Sequence, residues 1–254
     1  MIGLLSILGL GFALGMRHAT DADHVVAVAS IVSQQRDFSR AAATGLAWGI
    51  GHTFTIVLVG SAVILLNLVI PPRVGLAMEL SVGLTLIVLG LWTQGGALRR
   101  AGVRVPHSHA GLEGWHFHGP SMSGDGDDAA PLNRLDRVFG RLAAYRLVRP
   151  LVVGVVHGLA GSAAVALLVL TTISDSRWAV AYLLVFGLGT IAGMMVITLS
   201  LVSTFRYTDD RYEWLSRRLA LASGAVCLVF GLIITYQICM VDGLFSANPQ
   251  WTPR

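Results

Sequence analysis

The chain has 254 residues and a formal net charge of +4, and it is 54% hydrophobic but only 13% charged. An average soluble domain carries about 25% charged residues, so a single water-facing globule is excluded. The basic balance comes from Arg alone, because there is no Lys, and the Arg residues sit between apolar runs. That pattern excludes a nucleic-acid-binding surface. It points to an all-α polytopic membrane protein, since a helix crossing a hydrocarbon core needs about 20 apolar residues.

Six spans are predicted, at about 3–33, 41–68, 74–95, 150–173, 178–204 and 219–241. The N-terminal stretch MIGLLSILGL has no basic region ahead of it and no A-x-A pattern, so a removable signal peptide is not expected. The first span is too long for one straight crossing: its residues would reach about 46 Å at ~1.5 Å each. The polar segment Arg17–His24 in its middle is the expected place for a break. Loops 1–2, 3–4 and 5–6 hold fourteen Arg residues, against three on the other side. The positive-inside rule therefore predicts a multi-pass protein of the cell membrane, with both termini outside and the 96–148 loop cytoplasmic. Within 132–147, Leu132, Leu135, Phe139 and Leu142 share a helical face opposite Arg134, Arg137 and Arg141, which reads as a helix lying at the membrane surface.

The two halves resemble each other. His18 and His157 occupy spans 1 and 4, Gly51-His52-Thr53 and Gly189-Thr190-Ile191 occupy spans 2 and 5, and Gly90 and Gly231 occupy spans 3 and 6. His18 precedes His52 by 34 residues and His157 precedes Thr190 by 33; the corresponding separations to the glycines are 72 and 74. Three helices per half is an odd number, so the copies must be inverted in the membrane. The predicted organisation is repeat 1 over 1–95, a loop over 96–148 and repeat 2 over 149–254. Inverted repeats with an interrupted helix are a mark of secondary transporters, whose substrate site lies near the midplane.

Eight histidines divide into two groups. His18, His24, His52 and His157 fall in predicted spans, where ionisable side chains are costly and point to function. On a regular helix His18, Asp21 and His24 share one stripe while Asp23 points away. Two imidazoles and a carboxylate suit Zn, Ni, Co or Fe(II) rather than Mg or Ca. Asp23 either binds directly, if the helix unwinds, or polarises a ligand. His52 follows Gly49 and Gly51, which permit close helix approach. Glu79 and Thr190 are candidate pathway residues, whereas Met194 and Met195 are read as packing. Cys227 and Cys239 lie twelve positions apart on one span, cannot meet, and are read as buried thiols. His107, His109, His116 and His118 lie in the Gly-, Ser- and Asp-rich loop as two H-x-H pairs. They can capture a metal transiently without forming the obligatory path.

The segment Arg17-His18-Ala19-Thr20-Asp21-Ala22-Asp23-His24 resembles the H-x4-D-H signature of the nickel/cobalt transporter family, and Gly51-His52-Thr53 resembles its GHS-type second motif. Together they cover about the first 60 residues. By this resemblance His18, Asp23 and His24 correspond to the core signature and His52 to the second motif. Where typical members carry a D-T-A-T-E type motif in the second half, this chain has His157-Gly158-Leu159-Ala160-Gly161-Ser162, and six spans replace eight. In both respects it is similar to the shorter, UreH-like branch.

The resemblance implies a permease for a divalent transition metal, Ni²⁺ or Co²⁺ first; joined to the helical stripe and the repeat register, it gives a central site of His18, Asp21, His24 and His52, with Asp23 binding directly or behind a ligand and His157 approaching from the inverted half. The expected partners are the transported ion and the lipid bilayer, with no nucleic acid. No prosthetic group is expected, and nothing resembles a P-loop. The rival readings are an intramembrane metalloenzyme using the same cluster with an open coordination position, an exporter of the same fold, and a sensor or accessory subunit.

Overall fold

A computed structural model describes residues 2–33, 35, 37–100, 143–173 and 175–251. The four loop histidines and most of the expected surface helix at 132–147 lie outside these residues. The described residues form seven α-helices: α1 (Ile2–His18), α2 (Ala22–Val32), α3 (Phe38–Leu66), α4 (Pro72–Arg100), α5 (Ala143–Thr172), α6 (Ser176–Arg211) and α7 (Glu213–Tyr236). One turn of π-helix, Gln237–Val241, extends α7. A membrane offers backbone groups no water, so the chain satisfies them within helices. Phe38–Leu66, Pro72–Gly96, Ser176–Asp209 and Trp214–Val241 are each long and apolar enough to cross a membrane, and α5 contains the apolar stretch Leu147–Gly161. Large apolar side chains such as Phe54, Leu58, Leu84, Leu188 and Ile233 stand at least half exposed, as a lipid-facing surface requires.

The first predicted span breaks where expected. α1 has 17 residues and α2 has 11, so they reach only about 26 and 16 Å at ~1.5 Å per residue. Neither crosses ~30 Å of hydrocarbon alone. Asp21 has an extended backbone and opens α2. This corrects the regular-helix stripe: Asp21 belongs to the break, not to a helical face. The other helices outrun their predicted spans. α5 begins at Ala143 rather than 150, α4 runs to Arg100 and α6 to Arg211, because helical hydrogen bonding continues past the apolar limit that defines a span. Cys227 is buried as expected, but Cys239 is only partly so.

The packing is symmetric. On Gly15 of α1, a Cβ would strike the Phe186 carbonyl oxygen of α6; on Gly154 of α5, it would strike the Trp48 carbonyl oxygen of α3. Gly49 abuts Ile191 and Gly187 abuts Thr53; Gly90 abuts the Leu228 amide and Gly231 the Ile87 amide. Each contact thus has a mate with the halves exchanged, the reciprocity of a two-fold axis. Residues 49 and 53 meet 191 and 187 in reversed order, so α3 and α6 are antiparallel and the axis lies across them. The halves are therefore inverted copies. Even the caps correspond: Asp37 accepts from the amides of Ser39 and Arg40 at the start of α3, and Asp175 from that of Arg177 at the start of α6. Trp48, Met194, Val28, Leu86 and Cys227 belong to the main buried core.

Candidate metal centre

The break in the first span carries the chemistry inward. α1 ends on His18 and α2 begins at Ala22, so the chain places His18 and His24 on two helix ends that face each other across an extended residue. Their ring centroids are 4.9 Å apart. α3 supplies His52, fully buried, whose ring lies 5.1 Å from that of His18 and 4.8 Å from that of His24. One ligand atom from each of these three residues lies within 4.8 Å of the others. α5 supplies His157, whose ring is 5.6 Å from that of His24.

Hydrogen bonds orient these rings. His18 Nδ1 is 2.7 Å from Asp21 Oδ2, and His24 Nδ1 is 3.0 Å from Asp23 Oδ1. His157 Nδ1 is 3.0 Å from the Val153 carbonyl oxygen. An ionised carboxylate or a carbonyl only accepts, so each Nδ1 carries the proton and donates. Each Nε2 is then left with its lone pair, the state in which imidazole binds a metal. His24 Nε2 and His157 Nε2 are buried and make no hydrogen bond. His18 Nε2 is 3.1 Å from His52 Nε2, while His52 Nδ1 is buried without a partner. Buried polar atoms are normally satisfied; here nitrogen lone pairs gather in an apolar interior. Such a set of lone pairs has the donor chemistry to hold a divalent ion.

Both carboxylates therefore sit on the outer edges of the imidazoles. Asp21 and Asp23 hold the rings of His18 and His24 in orientation from behind. Thr190, the repeat mate of His52, is fully buried and its hydroxyl donates to the Phe186 carbonyl oxygen of the preceding turn. Glu79 is also buried, and its Oε1 accepts from the indole Nε1 of Trp251 at 2.8 Å; it does not join the three converging imidazoles. Met194 is wholly buried in the core, as a packing residue should be.

With 32% identity over 245 residues, the chain is similar to the urease accessory protein UreH of Bacillus sp. (strain TB-90). The alignment covers 96% of this chain and 97% of that protein. The chain belongs to the UreH family. No family model matches it, and no solved structure does. The likeness to UreH runs through both halves, so it extends well past the two short motifs near the N-terminus.

Sequence reasoning missed the aromatic walls of the site. Trp48 lies 5.0 Å from His157 and 6.4 Å from His24, ring to ring. Phe186 lies 5.5 Å from His18. Trp48 stands one turn before His52, and Phe186 one turn before Thr190. That i, i+4 spacing puts them on the same helix faces and was the available signal. The repeat register extends it: His18 against Phe186 and His157 against Trp48 are mates. Gly161 leaves room for His18, since a Cβ there would stand 3.3 Å from Cε1 and Nε2 of its ring.

Proposed function

We propose that this protein is a permease for a divalent transition-metal ion, Ni²⁺ or Co²⁺ foremost, and not an enzyme. The observation that carries the reading is the convergence of His18, His24 and His52, with their ligand atoms within 4.8 Å of one another, inside an apolar helical bundle. Imidazole nitrogen suits Ni²⁺ and Co²⁺ and suits Mg²⁺ and Ca²⁺ poorly. The resemblance of His18–His24 to the nickel/cobalt transporter signature and the likeness to UreH support the same reading. A role beside urease, which the relative's name states of that protein, fits a carrier that supplies an ion. His157 belongs to the same path, and Asp21 and Asp23 tune the imidazoles. The loop histidines His107, His109, His116 and His118 raise local ion concentration at the cytoplasmic mouth, while Glu79 and Thr190 are assigned to the pathway walls.

The test is flux of Ni²⁺, Co²⁺, Zn²⁺ and Mn²⁺ into proteoliposomes holding the purified full chain. Wild-type protein should carry Ni²⁺ or Co²⁺, and His18→Ala and His24→Ala should each reduce flux at least 100-fold while remaining folded. Wild-type flux from both variants would sink the site assignment. The Arg distribution supports both termini outside and a cytoplasmic loop over 96–148, and the matched spacings support repeats over 1–95 and 149–254. Rapid labelling of a cysteine introduced at Ser123 by an impermeant reagent on intact cells would overturn that orientation.

A further inference from the structure

The two-fold axis relating the halves leaves a second set of lone pairs beside the first. His18 and His157 are mates: each follows a glycine by three residues, Gly15 and Gly154, and that glycine lies on the backbone of the opposite repeat. Each also packs against an aromatic ring of the opposite repeat, at 5.5 Å for His18 on Phe186 and 5.0 Å for His157 on Trp48. His24 has no imidazole mate; the corresponding stretch of α5 is Gly161-Ser162-Ala163. Instead the short helix α2 inserts His24 between the mates, 4.9 Å from His18 and 5.6 Å from His157 by ring centroids. Its Nε2 and the Nε2 of His157 are both buried and unpartnered.

Resting on the carrier reading, we propose that the ion occupies two alternating positions that share His24. One is formed by His18, His24 and His52. The other is formed by His24 and His157, with the hydroxyl of Thr190 standing where the repeat puts the counterpart of His52. The first position offers three imidazole nitrogens and the second two. The first therefore holds the ion more tightly, and the second is where it leaves the tight site. His24 keeps hold during the transfer, so no bare ion crosses the apolar interior. Inverted repeats supply the motion, because rocking one against the other exchanges the environments of mated residues.

Binding and flux separate this arrangement from a single four-histidine site. Co²⁺ is the probe, titrated into the purified full chain and followed by its visible absorption, beside Co²⁺ flux in proteoliposomes. His18→Ala should weaken Co²⁺ binding at least 10-fold and reduce flux. His157→Ala should change Co²⁺ affinity less than 3-fold yet lower flux at least 10-fold. His157→Gln, which keeps a polar side chain of similar length, should behave as His157→Ala, and both should unfold near the wild-type temperature. His157→Cys should give a near-ultraviolet thiolate-to-cobalt band, because the ion reaches residue 157. Equal loss of affinity in the His18 and His157 variants would show one shared site and overturn the proposal. Wild-type flux from His157→Ala, or no thiolate band from a folded His157→Cys protein, would also overturn it. If wild-type protein binds Co²⁺ but carries neither Co²⁺ nor Ni²⁺, the carrier reading itself falls.

Discussion

The two halves share a scaffold and differ in chemistry. In the first, the membrane helix breaks at Ala19–Asp21, so two histidines reach the bundle interior with a carboxylate on the outer edge of each. In the second, α5 runs unbroken from Ala143 to Thr172, through Pro150, and brings a single histidine. Yet Gly15 and Gly154, Gly49 and Gly187, and Gly90 and Gly231 make mated contacts throughout. Backbone packing tolerates little change in volume, so it holds both halves to one geometry. Side chains lining the central space are under no such constraint. A copied scaffold thus needs only one chemically loaded half, provided the other presents its face to it.

The largest expected effect tests the shared scaffold. Gly15→Leu and Gly154→Leu should both cripple folding, since each drives a side chain into a neighbouring backbone carbonyl. Overpacking of this kind costs about 1–3 kcal/mol or more, a large part of a marginal stability. Gly9→Leu is the control, because nothing lies within 4 Å of a Cβ there. Yield and unfolding temperature in detergent measure the outcome, and a tolerated leucine at one mate but not the other would break the symmetry.

A smaller effect tests the chemical asymmetry. Asp23→Ala and Asp21→Ala should lower Co²⁺ affinity by about 10–100-fold, the usual cost of removing a partner that orients a ligating histidine. Asp23 should matter more, because its side chain is 27% exposed against 52% for Asp21, and water competes less there. No matching variant exists in the second half, where a backbone carbonyl holds His157. Unchanged affinity in both variants would remove the carboxylates from the site. Acidification should weaken binding as well, since a protonated imidazole offers no lone pair.

The smallest effect concerns the helix starts. Asp37→Ala and Asp175→Ala each remove a side-chain cap from a mated helix, α3 or α6, at a cost of about 0.5–2 kcal/mol. Thermal unfolding of the two variants should shift by similar amounts. A shift confined to one of them would show that the halves do not share stability as they share shape.

Much of this was legible in the chain. Apolar run length gave the helices, and the crowding of Arg17–His24 into one run marked its break, because a continuous helix cannot hide that many polar groups in a bilayer. The repeat register of His18 with His157 and His52 with Thr190 followed from spacing, since inverted copies keep their separations. The sequence could not assign the carboxylates. On a regular helix Asp21 joins the histidine stripe; in the broken one it bonds to His18 Nδ1 from outside. That choice depends on backbone angles at a helix end, which spacing does not encode.

What the sequence determined by itself was the bilayer as solvent, the helical class and the residue types able to bind a borderline divalent ion; transfer energetics and donor-atom chemistry fix these one residue at a time. Only the tertiary structure decided which of those residues meet. His157 and Trp48 come from different helices, and their rings stand 5.0 Å apart because Gly154 and Gly158 let α5 close on the backbone of α3. Glu79, equally conspicuous in an apolar span, was taken instead by the indole of Trp251, 172 positions away. Long-range pairing of this kind depends on how whole helices fit against one another, and no local pattern of side chains carries that information.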